Sequence, residues 1–408
     1  MKVAIVSDLH IGYERFEADA YAQAKEALTA AKAAADMIII PGDIFDKRAP
    51  KPEVIAQAIN IFRDLARGSW EARVTNPGSG IAFTDIPVLA VPGTHERTAA
   101  GKENPLTLLA LAGLLIDISE TMAIVSKGND SVAVFGLGGL SEERVKGKLA
   151  ELAPKPAPGI FSIFMFHQSV YELLPFSDTF IHYEDLPSGF DLYIDGHIHS
   201  RVEAKVHGSP FLIPGSTVLT QLKEGEQERK GFIIYDTKAR TYEFVHINSR
   251  EFVSKRLKFA DAGKAEIIGA CEREIDSIAG KSSGKPVIRL YLEGTMEHGT
   301  NISDLGIRAL AAKYAPKAFI DVDYSRLASP ELSKNIEELR QNRMGSLSVK
   351  ELGMRMLAEK LDELKFDRRM DAAAIFELLD NGSAKKEKLL EEAMRMLDGY
   401  DAPAVMPD

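Results

Sequence analysis

Five apolar runs in this chain end on side chains that hold cations. Asp8 and His10 follow 2–6, and Asp43 follows 37–40 inside Pro41-Gly42-Asp43. Thr94 and His95 follow 87–90 inside Pro92-Gly93-Thr94-His95-Glu96, and His167 follows 160–166. His197 and His199 close Tyr193-Ile194-Asp195-Gly196-His197-Ile198-His199. Neutral imidazole is the commonest protein ligand for transition metals. A His-x-His pair alone is more often a surface or packing feature, although side chains two apart share one side of an extended chain. The four matching strand ends change that balance, because ligands in open α/β sheets collect beyond the carboxyl ends of strands. Asp43, with two carboxylate oxygens, can bridge two cations. Two divalent ions ~3.5–4 Å apart clamp the attacking and leaving oxygens of a phosphoryl displacement. Mixed histidine and aspartate donors without a thiolate suit manganese, iron or zinc.

The surrounding pattern supplies elements to position these residues. Short apolar runs at 2–6, 37–40, 87–90, 160–166 and 190–194 predict buried strands. Helical spacing predicts helices over 18–35, 53–66, 105–115 (Pro105 in the first turn after Asn104) and 141–152. A hairpin is expected over 122–137 around Lys127-Gly128-Asn129-Asp130, and 68–81 reads as irregular. Antiparallel strands are expected over 202–206, 211–213, 231–235 and 242–247. Together these predict an α/β fold built as a two-sheet sandwich over 1–250. A small α/β module follows over 251–328, with helices at 262–279 and 303–314 and strands at 286–293 and 318–324. From 329 to 408 apolar residues recur every three or four positions among charges, which predicts short amphipathic helices that pack on their own domain or dock a partner.

Composition narrows the class. The 408 residues are 45% hydrophobic and 27% charged, ordinary for a globular protein. The net charge of −10 excludes a uniformly basic nucleic-acid coat, so a polyanion must meet a local patch or a metal. The lone cysteine, Cys271, excludes an internal disulfide framework and suits a reducing compartment. The opening Met1-Lys2-Val3-Ala4-Ile5-Val6 reads as a strand and not as a leader, and no apolar run approaches the ~20 residues of a membrane span. A cytoplasmic, nucleoid-associated protein is expected. Residues 1–250 carry 32 acidic against 25 basic side chains, in keeping with a multi-metal site.

Asp-x-His, Gly-Asp, Gly-x-His-Glu, a later His and Gly-His-x-His, in this order, resemble the calcineurin-like metallophosphoesterases. Pro214-Gly215-Ser216-Thr217, Lys230-Gly231-Phe232, the α/β module and the tail narrow the resemblance to the archaeal SbcD-type nucleases of the meiotic-recombination-eleven family. It is strong over 1–250, moderate over the module and positional over the tail. It implies a nuclease domain at 1–250, a DNA-binding cap at 251–328, and a tail at 329–408 that binds an SMC-like coiled-coil ATPase. It further implies two Mn²⁺ ions, one on Asp8, His10, Asp43 and His199, the other on Asp43, Thr94, His167 and His197. His95 would donate a hydrogen bond or proton to the phosphate or the leaving 3′-oxygen, with water as nucleophile. Asp46 and Asp195 would orient ligand imidazoles, or simply cap turns. The implied activity is 3′–5′ exonuclease and single-strand endonuclease action on DNA ends in double-strand-break repair, by a homodimer meeting through 53–66 and 105–115. The family usually has Asn where this chain has Thr94, which predicts weaker affinity for the second ion.

Other readings compete. A phosphoesterase acting on nucleotides or phosphoproteins would use the same metal chemistry, because fold does not fix substrate. A weakly catalytic DNA-end scaffold is the non-enzymatic reading, motivated by Thr94. No Gly-x-x-x-x-Gly-Lys-Ser/Thr loop occurs, so ATP would act through a partner. His182, His207, His246 and His298 read as structural, and Trp70 as loop packing.

Overall fold

The computed structural model describes residues 1–65, 72–76, 79–83, 86–97, 103–177 and 179–328, with positions 354, 357 and 358. The elements in chain order begin β1 (Lys2–Ile5), α1 (Glu17–Ala34), β2 (Met37–Ile40), α2 (Pro52–Leu65), β3 (Ala72–Asn76), β4 (Ser79–Phe83) and β5 (Val88–Ala90). Then follow α3 (Pro105–Leu111), β6 (Ile116–Asp117), β7 (Thr121–Lys127), β8 (Asp130–Leu137), α4 (Glu142–Leu152), β9 (Phe161–Phe166) and β10 (Leu192–Asp195). The rest are β11 (Val202–Val206), β12 (Ser209–Ile213), β13 (Gly231–Asp236), β14 (Thr241–His246), β15 (Phe252–Ala262), α5 (Lys264–Ala279), β16 (Val287–Met296), α6 (Ile307–Tyr314) and β17 (Phe319–Ala328).

Two sheets form the sandwich. One has the order β14-β13-β1-β2-β5-β6, the other β11-β12-β10-β9-β8-β7-β3-β4. Strand alternation sorts the side chains into layers. Val3, Ile5, Met37, Ile39, Leu89 and Val91 pack between the sheets against Val132, Val134, Ile163, Met165 and Ile194. Ala4, Ile38, Ile40, Val88 and Ala90 face the other way, onto Ala24, Ala27, Leu28 and Ala31 of α1 and Ala58, Ile61 and Phe62 of α2. The outer face of the second sheet packs Phe164, Phe166 and Phe211 with Val145 and Leu149 of α4. Central strands buried on both faces explain the unbroken apolar runs in the sequence.

The strands, helices and the 127–130 hairpin stand close to where the pattern put them, with instructive exceptions. Within the stretch expected to be irregular, the described residues form strands: β3 and β4 pair antiparallel from Ala72↔Phe83 to Asn76↔Ser79. Asn104 caps α3 as expected, accepting from Thr107 N at 2.8 Å, but the helix stops at Leu111, short of 115. β12 pairs parallel with β10, not only antiparallel with β11. Gly306, at φ +71°, splits the helix expected over 303–314 into a short 3-10 turn (Ile302–Leu305) and α6. Strands β15, β16 and β17 form a third sheet in that order. The chain divides into two units. The first holds Met1–Leu257, Ile268–Leu292 and Gly306–Asp323; the second holds Lys258–Ile267, Glu293–Leu305 and, among the described residues, 324–328 with positions 354, 357 and 358. Trp70 lies outside the described residues, as do the helices expected over 329–408 apart from positions 354, 357 and 358.

Candidate metal centre

The segments leaving β1, β2, β5, β9 and β10 are tied together by strand pairing and by backbone N–H groups that reach carbonyls and carboxylates of their neighbours. Strands β1, β2 and β5 run parallel in one sheet, and β9 and β10 run parallel in the other. His10 N donates to Asp43 O at 3.0 Å, and Asp8 N to Gly42 O at 3.3 Å. His95 N donates to Asp43 Oδ1 at 2.9 Å, and His197 N to Asp8 Oδ1 at 3.2 Å. Asp8, His10, Asp43 and His197 adopt φ of +50°, +45°, +51° and +69°. Non-glycine residues there cost about 1–3 kcal/mol each and gather at functional sites.

Three overlapping triads of cation-binding atoms result: Asp8–His10–His199, His10–Asp43–His95 and Asp8–Asp43–His167, each within 4.8 Å. The ring nitrogens show what they await. His167 Nδ1 donates to Pro41 O at 2.7 Å, so Nε2 is the nitrogen left to face the centre, a lone pair once its proton has gone. That Nε2 lies 3.3 Å from Asp43 Oδ2, is fully buried and has no hydrogen-bond partner. Two acceptors facing each other require a proton or a metal cation between them. His10 Nε2 and His199 Nε2 repeat this 3.1 Å apart, with Asp8 Oδ1 3.9 and 3.8 Å from them. His10 Nδ1 lies 3.3 Å from Asp46 Oδ1, and His199 Nδ1 lies against the Thr220 hydroxyl. The donor set therefore fits divalent cations on either side of Asp43.

Titration behaviour agrees with that fit. Burial opposes the charge on Asp43, yet His167, His10 and His95 hold its carboxyl below the usual range. Burial likewise works against a charged His167, but Asp43 pulls its pKa up to about 10. Burial and neighbouring His167 push His197 down to about 4. Burial and the nearby His10 also lower His199. Burial raises Asp8 and Asp195.

The remaining expected residues are less uniform. His197 and His199 diverge, because the left-handed backbone at His197 ends the extended chain that would keep them on one side. The His197 ring lies edge-on to His167 at 5.3 Å with Nε2 3.0 Å from Ser169 Oγ, outside the three triads. Thr94 Oγ1 lies 3.4 Å from Asp43 Oδ2. His95 is the exposed member, with a 43% accessible side chain and Nδ1 2.5 Å from Asp46 O. Asp46 thus lies against two imidazoles, through Oδ1 at His10 and its backbone oxygen at His95, whereas Asp195 accepts from Gln168 N at 3.0 Å and its Oδ2 has no hydrogen-bond partner among the described residues. His207 is structural, with Nε2 2.8 Å from Leu186 O.

The calcineurin-like phosphoesterase family matches residues 1–201. Those residues belong to that family. Curated proteins of one kind are similar to this chain. The DNA double-strand break repair protein Mre11 of Archaeoglobus fulgidus is 25% identical, over 96% of this chain and 88% of its own length. The protein of the same name from Methanopyrus kandleri is 28% identical over 62% of this chain and 58% of its own. The double-strand break repair protein MRE11 of Encephalitozoon cuniculi is 26% identical over 61% and 48%. The last two matches span about half of the relative's length.

Some residues around this site carry roles that the sequence did not assign to them. Glu96 is fully buried and accepts from Phe45 N and Gly93 N, each at 2.9 Å, tying the segments after β2 and β5 together. Burial, with the charge of Asp43, pushes its pKa up to about 7. Thr220, Glu226 and Lys230 line up behind His199. Glu226 sits in Lys223-Glu224-Gly225-Glu226-Gln227-Glu228, a charge run that reads as solvated surface; only its 3% exposure marks it out.

Glycines set the closeness of the loops. A Cβ on Gly93 would collide with the Asp43 carboxylate and backbone nitrogen. One on Gly42, at φ +99°, would strike the His167 ring and reach Gly93 Cα at 2.8 Å. Gly93→Ala is expected to displace Asp43 and weaken manganese binding about 10–100-fold, the range seen when support for a ligand is lost. Calorimetric titration checks this; unchanged affinity would show that Asp43 is not a ligand.

Proposed function

We propose that this chain is a two-metal DNA nuclease of the Mre11 type, which processes DNA ends. The observation that carries the reading is Asp43, which faces His167 and shares one triad with Asp8 and His167 and another with His10 and His95. Asp8, His10, Asp43 and His199 would hold one manganese; Asp43, Thr94, His167 and His197 would hold the second. Bound there, the pair of cations would polarise the phosphodiester and lower the pKa of water at the site. The chain's own part is positional. Asp46 and His199's neighbours keep lone pairs aimed inward. His95, held by its backbone to Asp43 and open to solvent, is placed to donate to a phosphate oxygen or the leaving 3′-oxygen.

DNA as substrate is supported by the relatives, which are named as double-strand break repair proteins. Exonuclease action from 3′ ends and endonuclease action on single strands belong to the same reading. So do an SMC-like coiled-coil ATPase on the 329–408 tail and a cytoplasmic, nucleoid-associated setting. A homodimer through α2 and α3 is supported by Leu108 and Leu111, 46% and 78% exposed on α3. No described helix is long and apolar enough to cross a membrane.

The test is hydrolysis of end-labelled duplex and hairpin DNA with manganese, against bis-p-nitrophenyl phosphate. His95→Ser is expected to lower DNA cleavage roughly 10²–10⁴-fold, the usual weight of a positioned proton donor, with DNA binding retained. Turnover of the small diester without any cleavage of DNA would favour the nucleotide or phosphoprotein reading. DNA binding with no hydrolysis by the wild type would favour the scaffold.

A pH dependence follows from His167. Its proton must leave for Nε2 to meet a cation, so manganese affinity should rise with pH, about tenfold per unit, until about 10. The ion that meets His167 should release one proton from it, read from the buffer dependence of the binding enthalpy. In the metal-free chain the sign reverses. The raised pKa adds stability that is fully present below about pH 6.5 and lost as pH climbs through about 10. Affinity flat between pH 6.5 and 9 would contradict the assignment of His167.

A further inference from the structure

Lys230, Glu226 and Thr220 form a chain of hydrogen bonds that ends on His199. Lys230 and Glu226 are 5% and 3% exposed, and Lys230 Nζ lies 2.9 Å from Glu226 Oε1. Lys230 also donates to His199 O and Ser216 Oγ, each at 3.0 Å. Glu226 Oε2 accepts from Gln221 N at 2.8 Å and Leu222 N at 2.7 Å; Oε1 accepts from Thr220 N at 3.2 Å. The Thr220 hydroxyl donates to the same Oε1 at 3.2 Å.

The polarity of this chain is fixed. An ammonium only donates and a carboxylate only accepts, so the single hydroxyl proton of Thr220 is committed to Glu226. Its oxygen is then an acceptor, and it faces His199 Nδ1. His199 must carry its proton on Nδ1. Nε2 is left as a lone pair, 3.1 Å from His10 Nε2 and 3.8 Å from Asp8 Oδ1.

The comparison with His167 shows why so much machinery stands here. His167 Nδ1 meets the carbonyl of Pro41, which can only accept and selects the tautomer unaided. A hydroxyl alone can donate or accept, and would permit either tautomer of His199. A buried ion pair is a costly thing to place in a core and adds little stability over apolar packing. Behind Thr220 it removes the ambiguity.

We propose that the Lys230–Glu226 pair, acting through Thr220, locks His199 in its Nδ1–H tautomer and aims Nε2 at the metal centre. The proposal rests on the metal reading above. Thr220 and Glu226 are positioning residues that touch neither substrate nor ion.

The test uses the whole chain in two measurements. The first is manganese binding, followed by electron paramagnetic resonance of the free ion. Thr220→Val keeps the shape and removes the hydroxyl. It is expected to weaken one of two ions about 10–100-fold and leave the other unchanged, while Thr220→Ser restores wild-type binding. The second is the ¹⁵N spectrum of the histidines in the metal-free wild type, with His199 assigned by its loss in His199→Gln. The Nδ1–H tautomer is expected. Wild-type affinity for both ions in Thr220→Val, failure of Thr220→Ser to restore it, or an Nε2–H tautomer would each overturn the proposal. Wild type binding no manganese would bring down the metal reading instead, and the tautomer would still decide this one. It also decides if Thr220→Val does not fold.

Discussion

Asp43→Asn is expected to lower manganese-dependent phosphodiester hydrolysis by about 10³-fold or more, since metal stabilisation of transition-state charge is worth several kcal/mol. Asparagine keeps the side-chain shape and an oxygen for His95 N, which donates to Asp43 Oδ1 at 2.9 Å. It loses the charge and one of the two oxygens through which both cations would be shared. The same substitution should lower the pKa of His167 from about 10, because the Asp43 charge is what raises it against burial. Single-turnover kinetics and histidine titration by NMR read the two effects separately. Asp43→Asn with wild-type rates would remove Asp43 from the centre.

Glu226→Ala is expected to destabilise the fold by about 3–5 kcal/mol, since it strands a buried ammonium without its counter-charge. Lys230 is 5% exposed, and its other partners, His199 O and Ser216 Oγ, are neutral. Three backbone N–H groups, of Thr220, Gln221 and Leu222, also lose their acceptor. Leu222 sits at φ +53°, a conformation those bonds help to hold. Denaturant unfolding measures the loss. Glu226→Leu combined with Lys230→Met should be far milder, since an apolar pair can replace a buried ion pair at little cost in stability. A double variant as unstable as Glu226→Ala would show that packing, not charge, dominates there.

Much of the centre was legible because its residues follow apolar strands directly. Asp8, Asp43 and His167 each come within a few residues of a run buried on both faces, and a parallel sheet brings such ends together whatever the loops do. What failed to read through was local geometry. Alternation places His197 and His199 on one side, yet φ +69° at His197 turns one ring to Ser169 and the other to His10. The β3–β4 hairpin lacks a strong apolar alternation and was read as loop; its pairing with β7 organises it instead. Burial was the other hidden variable. Glu96 stands in the Gly-x-His-Glu motif with no role assigned to it and Glu226 looks like any carboxylate in a charged stretch; only the folded chain shows both enclosed by backbone N–H groups.

The most direct test of two cations sharing Asp43 is anomalous diffraction from a manganese-soaked crystal at the absorption edge of the metal. Two peaks roughly 3.5–4 Å apart are expected. Both should lie within bonding distance of Asp43, one also against His10 and His199, the other against His167. A single peak that Asp43 does not touch, or none with His167 Nε2 still facing Asp43, would contradict the account.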